Sequence, residues 1–206
     1  LDWQVIVPSE ATPLRRRHID NLIIDARANG GGSNYVGNVL LKYISPKPFT
    51  QISKGLIKVT PTTLRLLGSS MSSTTLTYGE ADSTWYNTPY TREQGHYDGR
   101  VIVLSSNATF SAGASFVWTF KECGAGMVIG EETGGMNVCY GEILGYALPV
   151  SKMVCGISYK RFWQMNAEED DIHGAIPDIA VKAEDALDTA LQYIKKHKHT
   201  TAIDDK

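Results

Sequence analysis

The chain has 206 residues, with 20 Lys and Arg against 22 Asp and Glu, a formal net charge of -2 and a hydrophobic content of 42%. This composition is typical of a globular domain and excludes a wholly disordered chain. The near-neutral charge argues against a nucleic-acid-binding protein, because such proteins usually carry a basic excess. No apolar stretch reaches the roughly 20 residues that a membrane-spanning helix needs.

The chain begins with Leu1 and not with Met, which predicts that it is a piece of a longer polypeptide. Its length fits one domain over residues 1–206. The cysteines are Cys123, Cys139 and Cys155, an odd number without zinc-site spacing, and we expect them to be small buried residues. A bridge between Cys139 and Cys155 stays open, since both fall on segments that resemble neighbouring strands.

The first predicted elements are a strand, a glycine loop and a helix. Residues 21–27 form a short apolar run rich in β-branched side chains, which predicts a buried strand ending at three glycines. A helix is expected next, because apolar residues recur at helical spacing until Pro46 stops it. Residues 50–58 predict a further strand.

The segment from about 59 to 98 differs from its surroundings. It combines a run of serines and threonines with scattered aromatic residues and shows weak periodicity. We predict a surface insertion with a short helix at its start. The alternative is a loop whose aromatic side chains line a substrate groove.

Regular elements return in the second half of the chain. The pattern predicts a strand at 100–104, a helix at 111–123 and a strand at 127–130. A hairpin is expected near 143–149 and 152–159, followed by an edge strand at 176–181 and a final helix at 183–197. The recurrence of strand and helix predicts an α/β fold with a largely parallel sheet.

Two loops at the carboxyl ends of predicted strands are candidate ligand sites, because open α/β sheets bind ligands there. The first loop contains Gly30, Gly31 and Gly32, whose N–H groups can point at a ligand. It lacks the spacing of a P-loop or a dinucleotide-binding loop. A purely structural turn and an oxyanion hole both remain open.

The second loop ends at Ser111, at a strand-to-helix junction flanked by Ala112 and Gly113. Serine at a helix start is commonly a side-chain cap. The other reading is a nucleophile at the positive end of a helix, with the Ala112 N–H directed at an oxyanion. The sequence does not match the G-x-S-x-G elbow of α/β-hydrolases.

Four segments together resemble the S41 peptidases, the C-terminal processing or tail-specific protease family. Residues 22–32 resemble the family's "LIIDLRxNGGG" strand and loop, and residues 101–113 resemble its nucleophile segment. Residues 130–135 resemble its "GExTGG" turn, and residues 174–179 its "GxxPDxxV" strand. The four occur in the family's order and span nearly the whole chain.

The resemblance implies a crotonase/ClpP-like ββα-spiral core and a serine endopeptidase without metal or cofactor. Ser111 is then the nucleophile that attacks the peptide carbonyl. The oxyanion is held by the N–H of Ala112 together with that of Gly31 or Gly32. The resemblance leaves the choice between the two glycines open.

The position that supplies the base in the Ser–Lys branch of the family is different in this chain. Met136 stands where that branch has lysine, and a thioether cannot accept the proton. The chain therefore looks closer to the tricorn-like branch, whose base is an upstream histidine. We expect that histidine to precede Leu1 and the isolated chain to be inactive or nearly so. His173 is the one histidine within the chain that merits a test as the base.

The tricorn-like branch also has a carboxylate near the closing motif that orients its catalytic groups. Residues 168–171 form an acidic run there, and Asp171 is the candidate. The competing interpretation of this run is a solvated acidic loop. Glu131 and Glu132 are expected to be hydrogen-bonding turn residues without a catalytic role.

Two other functions remain open at this point. Retinoid-binding repeats of vertebrate retina share the resemblance and bind lipids, so a lipid- or peptide-binding module is the main alternative. A crotonase-like acyl-CoA enzyme fits the closing motif less well. The expected partners are a peptide or protein substrate and upstream domains of the same parent chain, with no nucleic acid and with homo-oligomerisation open. By resemblance, we expect a location in the cell envelope, periplasmic or extracellular, with the cytoplasm as the other option.

Overall fold

The computed structural model describes residues 19–58, 60–67, 82–86, 89–91 and 95–197. Within these residues, none of the helices is long and apolar enough to cross a bilayer. In chain order the elements are β1 (Asn21–Asp25), α1 (Asn34–Ile44), β2 (Ile52–Lys58), α2 (Pro61–Leu67), β3 (Asp82–Tyr86), β4 (Arg100–Ser105), α3 (Ala112–Glu122), β5 (Met127–Gly130), β6 (Val138–Ala147), β7 (Val154–Gln164), β8 (Ile179–Ala180) and α4 (Ala186–Lys196), the last preceded by a 3-10 turn (Ala183–Asp185).

A parallel sheet in the order β1-β4-β5-β8 forms the centre of the domain. Helices α1 and α3 cover one face, where Phe116 and Phe120 lie in the same core as Val101 and Val103. Helix α4 covers the other face. Because both faces are buried, the strands are continuous apolar runs, as expected for a parallel sheet. This confirms the predicted α/β fold with a parallel sheet.

The second sheet is antiparallel, in the order β3-β2-β7-β6. The predicted hairpin is present, but β6 and β7 are longer than predicted. Their register places Cys139 opposite Phe162 and Cys155 opposite Tyr146. The two cysteines are therefore seven positions apart along the ribbon, and both are free thiols. The bridge between them that the sequence left open does not form.

The segment 59–98 contributes regular structure to this sheet. Helix α2 confirms the short helix expected at its start. Strand β3 pairs with β2, which the weak periodicity of the segment did not predict. Residues 59, 68–81, 87–88 and 92–94 of the predicted insertion lie outside the described residues.

Asp178 holds the segment that precedes β8 against the parallel sheet, and its replacement should destabilise the domain. Its Oδ2 accepts a 2.8 Å hydrogen bond from the Val128 N–H, and its Oδ1 lies 2.7 Å from the Lys121 Nζ. Asp178→Ala leaves the N–H of a fully buried residue unpaired, and we expect it to lower the free energy of unfolding by about 2 kcal/mol. Chemical denaturation measures this change.

Lys121→Ala is the matched control, since it keeps the Val128 hydrogen bond and removes the partly exposed ion pair together with the Lys121 hydrogen bond to the Ile176 carbonyl. It should cost less than about 1 kcal/mol. Equal losses in the two variants would contradict the proposed importance of the Val128 hydrogen bond.

Candidate active site

Ser111 is the last residue before α3, at the end of the loop that follows β4. Its φ of 49° and ψ of -124° are a left-handed conformation that a non-glycine residue rarely adopts. Such strain concentrates at functional sites and costs about 1–3 kcal/mol. The residue is exposed, and its hydroxyl makes no cap hydrogen bond. The serine therefore does not act as the side-chain cap that helix-start serines commonly provide.

The start of α3 presents one unpaired backbone donor beside Ser111. The N–H groups of Gly113 and Ala114 both donate to the Phe110 carbonyl, and that of Ser115 donates to the Ser111 carbonyl. Over the described ranges, the Ala112 N–H has no acceptor. The positive end of a helix favours negative charge at such a donor.

The glycine loop after β1 lies directly against Ser111. Gly31 has a φ of 113°, and a Cβ built on it would lie 2.6 Å from the Ser111 Cβ and 3.1 Å from its Oγ. The Gly31 N–H donates to the Asn29 Oδ1 at 3.0 Å. The Gly32 N–H has no acceptor in the part of the chain that the structure describes. Of the two glycines, Gly31 supplies the close contact and Gly32 the unpaired donor.

Asn29 joins the two loops, and the sequence did not single it out. It is 4% exposed, and its carbonyl accepts a 2.9 Å hydrogen bond from the Phe110 N–H. A Cβ on Gly113 would lie 2.7 Å from the same carbonyl oxygen. The side-chain Nδ2 of Asn29 is buried without a partner among the described residues. The asparagine between the strand and the glycines is the sequence signal that could have indicated this role.

The turn at residues 131–137 forms a third wall of the site. A Cβ on Gly135 would lie 2.9 Å from the Ser111 N, and the Gly135 N–H donates to the Thr109 carbonyl. Met136 follows Gly135 and is partly exposed, and its thioether cannot serve as a base. Glu131 and Glu132 accept backbone hydrogen bonds, the role expected of them.

Asp171 lies in the loop behind this turn and makes no hydrogen bond to Ser111. Its Oδ2 accepts a 3.0 Å hydrogen bond from Asn137 Nδ2, and its Oδ1 accepts one from the His173 N–H. The structure thus joins Ser111, Gly31 and Ala112 in one place, while the Asp171 carboxylate is engaged by Asn137 and by the His173 N–H.

The acidic run around Asp171 is partly ion-paired. Asp170 contacts Arg161 at 2.8 Å, and Glu169 lies 3.3 Å from the Lys54 Nζ. Residues 168–170 are exposed, as the interpretation as a solvated loop predicts, and basic side chains on β2 and β7 neutralise part of their charge.

The described histidines are engaged elsewhere. The His173 Nδ1 lies 3.4 Å from Glu132 Oε1, and His96 contacts the Ser45 carbonyl and Asp98 through its two ring nitrogens. The Nδ1 of His197 contacts the Tyr193 carbonyl. Over the described ranges, the Ser111 hydroxyl has no hydrogen-bond partner, so no base is in place there.

A buried polar chain supports the site from behind, and sequence reasoning missed it. Gln164 Nε2 donates a 2.7 Å hydrogen bond to the Ser115 Oγ, one turn along α3 from Ser111. The Gln164 N–H donates to the Asn137 carbonyl. Asn137 in turn donates to Asp171. These contacts connect the helix that carries Ser111 to the loop that carries Asp171.

A groove of about 570 Å³ opens beside the two loops, and Asp25, Arg27 and Glu184 contribute its charged groups. The Arg27 guanidinium donates to both oxygens of Asp25 and thereby holds the pKa of that carboxyl below its usual value. Arg27 also donates to the Ala183 carbonyl at 2.7 Å. The guanidinium therefore braces the end of β1 against the segment before α4. No group of metal-ligating side chains occurs among the residues described.

Comparison with known proteins identifies the family and agrees with the fold. The family model of Peptidase family S41 matches residues 7–181. Among solved structures, mature CPAF complexed with lactacystin is similar with a TM-score of 0.61 and 17% identity, over 90% of this chain and 44% of that chain. The photosystem II D1 C-terminal processing protease has a TM-score of 0.51 and 16% identity, over 84% of this chain and 37% of that chain. The chain spans less than half the length of both proteins.

Proposed function

Because the chain belongs to peptidase family S41, we propose that it is the nucleophile-bearing part of a serine endopeptidase that forms an acyl-enzyme at Ser111. The strongest support is the state of Ser111 itself. Its hydroxyl is exposed and not used as a cap, on a left-handed residue beside two unpaired N–H donors. A purely structural serine would not require this strain.

In the proposed reaction, the Ser111 Oγ adds to the carbonyl carbon of a peptide bond while a base takes the hydroxyl proton. Negative charge develops on the carbonyl oxygen, and the N–H groups of Ala112 and Gly32 stabilise it. Gly32 is preferred to Gly31 because the Gly31 N–H already donates to Asn29. The base returns the proton to the leaving amine, and water then hydrolyses the ester in the same way.

The proposed base is a histidine upstream of Leu1, as in the tricorn-like branch. This proposal rests on Met136 at the lysine position and on the other contacts of His96, His173 and His197. Asp171 would then be a positioning residue, acting through Asn137 without touching the substrate. A base at a serine nucleophile contributes about 100-fold or more to the rate, so its absence should be easy to measure.

Fluorophosphonate labelling tests the proposal by comparing the chain of residues 1–206 with a natural polypeptide that extends further upstream. We expect labelling at Ser111 in the longer polypeptide and a rate lower by at least about 100-fold in residues 1–206. Equal labelling would place the base within residues 1–206. A folded longer polypeptide that does not label would instead favour the lipid- or peptide-binding module, which retention of a fluorescent fatty acid then tests.

A further inference from the structure

The outer part of the β6–β7 hairpin projects from the domain as a two-stranded arm, which we define as residues 143–157. Strand β2 pairs with β7 at the base of the hairpin, and its pairing ends at Lys160. Beyond that point, β6 and β7 pair with each other alone among the strands described. Glu142, at the start of the arm, has a φ of 57°. This left-handed residue separates the arm from the sheet.

The arm exposes apolar side chains on both of its faces. Ile143 and Val154 share one face. A Cβ built on Gly156 would lie 2.7 Å from the Ile143 side chain, and one built on its partner Gly145 would lie 3.7 Å from the Val154 side chain. Side chains alternate between the two faces along a strand. Tyr146 and Ile157 therefore belong to the other face, because Tyr146 lies three positions from Ile143 and Ile157 lies three positions from Val154. The exposed apolar side chains of the arm, each between 51% and 93% exposed, are Ile143, Tyr146, Val150, Met153, Val154 and Ile157.

These six side chains and Tyr140 at the base of the arm expose an area comparable to a protein interface. At roughly 150–250 Å² for a large side chain, their exposed fractions amount to roughly 900 Å². This area has the size of a standard interface, which buries about 800 Å² on each partner, and it is divided between two faces and two strands. Lys152 is the single charged residue in the arm, so little charge opposes its burial.

The backbone of the arm also needs a partner. A lone two-stranded ribbon is at best marginally stable in water. The outer edge of β6 pairs with no other strand over the described ranges, and 143–147 contains neither Lys nor Pro, which commonly protect such edges. Hydrocarbon cannot satisfy the unpaired N–H and C=O groups of this edge. Another strand can satisfy them, and it also covers part of the apolar side chains of β6, Ile143 and Tyr146.

We propose that the arm binds the arm of a second copy of this chain, through antiparallel pairing of the β6 edges about a twofold axis near Gly145. A twofold contact uses the same surface on both chains, so this surface must be complementary to itself. The segment 143–147 meets this requirement. It carries no charge, and the pairing sets Ile143 opposite a small residue, Ala147 of the same segment in the second copy.

The mass of the chain in solution, measured by sedimentation velocity over a wide concentration range, tests the proposal. We expect the unmodified chain to sediment as a dimer. Ile143→Lys puts charge on the arm and should weaken the dimer by roughly 30-fold or more, the effect of losing about 2 kcal/mol at an interface hot spot. Ile172→Lys is the matched control, since Ile172 is 71% exposed against 69% for Ile143 and lies outside the arm. A chain that stays monomeric, or a dimer that Ile143→Lys leaves intact, would overturn the proposal.

Disulfide trapping tests the position of the axis without weakening the interface. Gly145→Cys is sterically allowed, because the nearest atom to the added Cβ lies 3.7 Å away. With Cys139 and Cys155 replaced by serine, we expect Gly145→Cys to form a cross-linked dimer on oxidation and Ser151→Cys, at the tip, to remain uncross-linked. Equal cross-linking of both variants would contradict the axis.

Flotation with phosphatidylcholine and phosphatidylglycerol vesicles distinguishes a lipid surface from a second copy. A monomeric chain that floats with these vesicles, and loses that property with Ile143→Lys, would assign the arm to lipid and overturn the proposal.

Discussion

Ser111→Ala is expected to abolish fluorophosphonate labelling and peptide hydrolysis in the polypeptide that carries a functional base. The loss should be at least about 1,000-fold, because removing a serine nucleophile removes the covalent route altogether. The same change should leave the stability of the domain nearly unaltered, since the Ser111 hydroxyl makes no cap hydrogen bond. Probe labelling and thermal unfolding measure the two effects on the same protein.

Ser33→Ala is the matched control, because Ser33 also stands at a helix start but does act as a cap. Its side chain accepts a hydrogen bond from the Tyr35 N–H at 3.2 Å. We expect Ser33→Ala to keep the labelling and to lower the free energy of unfolding by about 1 kcal/mol. A loss of stability with Ser111→Ala of the same size, with labelling retained, would show that Ser111 is a cap after all.

The second large effect is expected at Gly31. Gly31→Ala must place a Cβ 2.6 Å from the Ser111 Cβ at a φ of 113°, a conformation that residues with side chains rarely adopt. We expect the variant to lose about 2–4 kcal/mol of stability through strain and displacement of the loop, and to lose labelling by about 100-fold or more. Chemical denaturation and probe labelling report the two losses separately.

Gly30→Ala distinguishes this local contact from a general need for glycine in the loop. No atom lies within 4 Å of a Cβ built at Gly30, and its φ is not in the left-handed region. The variant should keep both stability and labelling. If Gly30→Ala and Gly31→Ala behaved alike, the contact between Gly31 and Ser111 would not determine the shape of the site.

The sequence predicted the central sheet well because its strands are uninterrupted apolar runs. Residues 21–27, 100–104 and 127–130 all correspond to observed strands, and the junction before Ser111 was located correctly. The antiparallel sheet was predicted less completely. Strand β3 lies in a serine-rich segment, and β6 and β7 are half exposed, so that neither alternation nor apolar runs mark their ends.

The candidate site, too, was predicted only in part. Ser111, Ala112 and the two glycines were predicted because the motifs resemble a known family. Asn29, Gly135 and Gln164 were missed, because their contributions depend on long-range contacts that no local pattern contains. The role of Gly135 in particular arises where a turn more than twenty residues away reaches the Ser111 amide.

The walls around Ser111 are made largely of main-chain atoms that approach one another where glycine has no Cβ. Gly31, Gly113 and Gly135 each permit such an approach. The shape of the site is therefore determined by the backbone, and exposed neighbours such as Phe110 and Met136 can be replaced without moving the nucleophile. This independence of the main-chain walls from the exposed side chains around them is one physical reason why a chain only 17% identical to mature CPAF can have a similar fold.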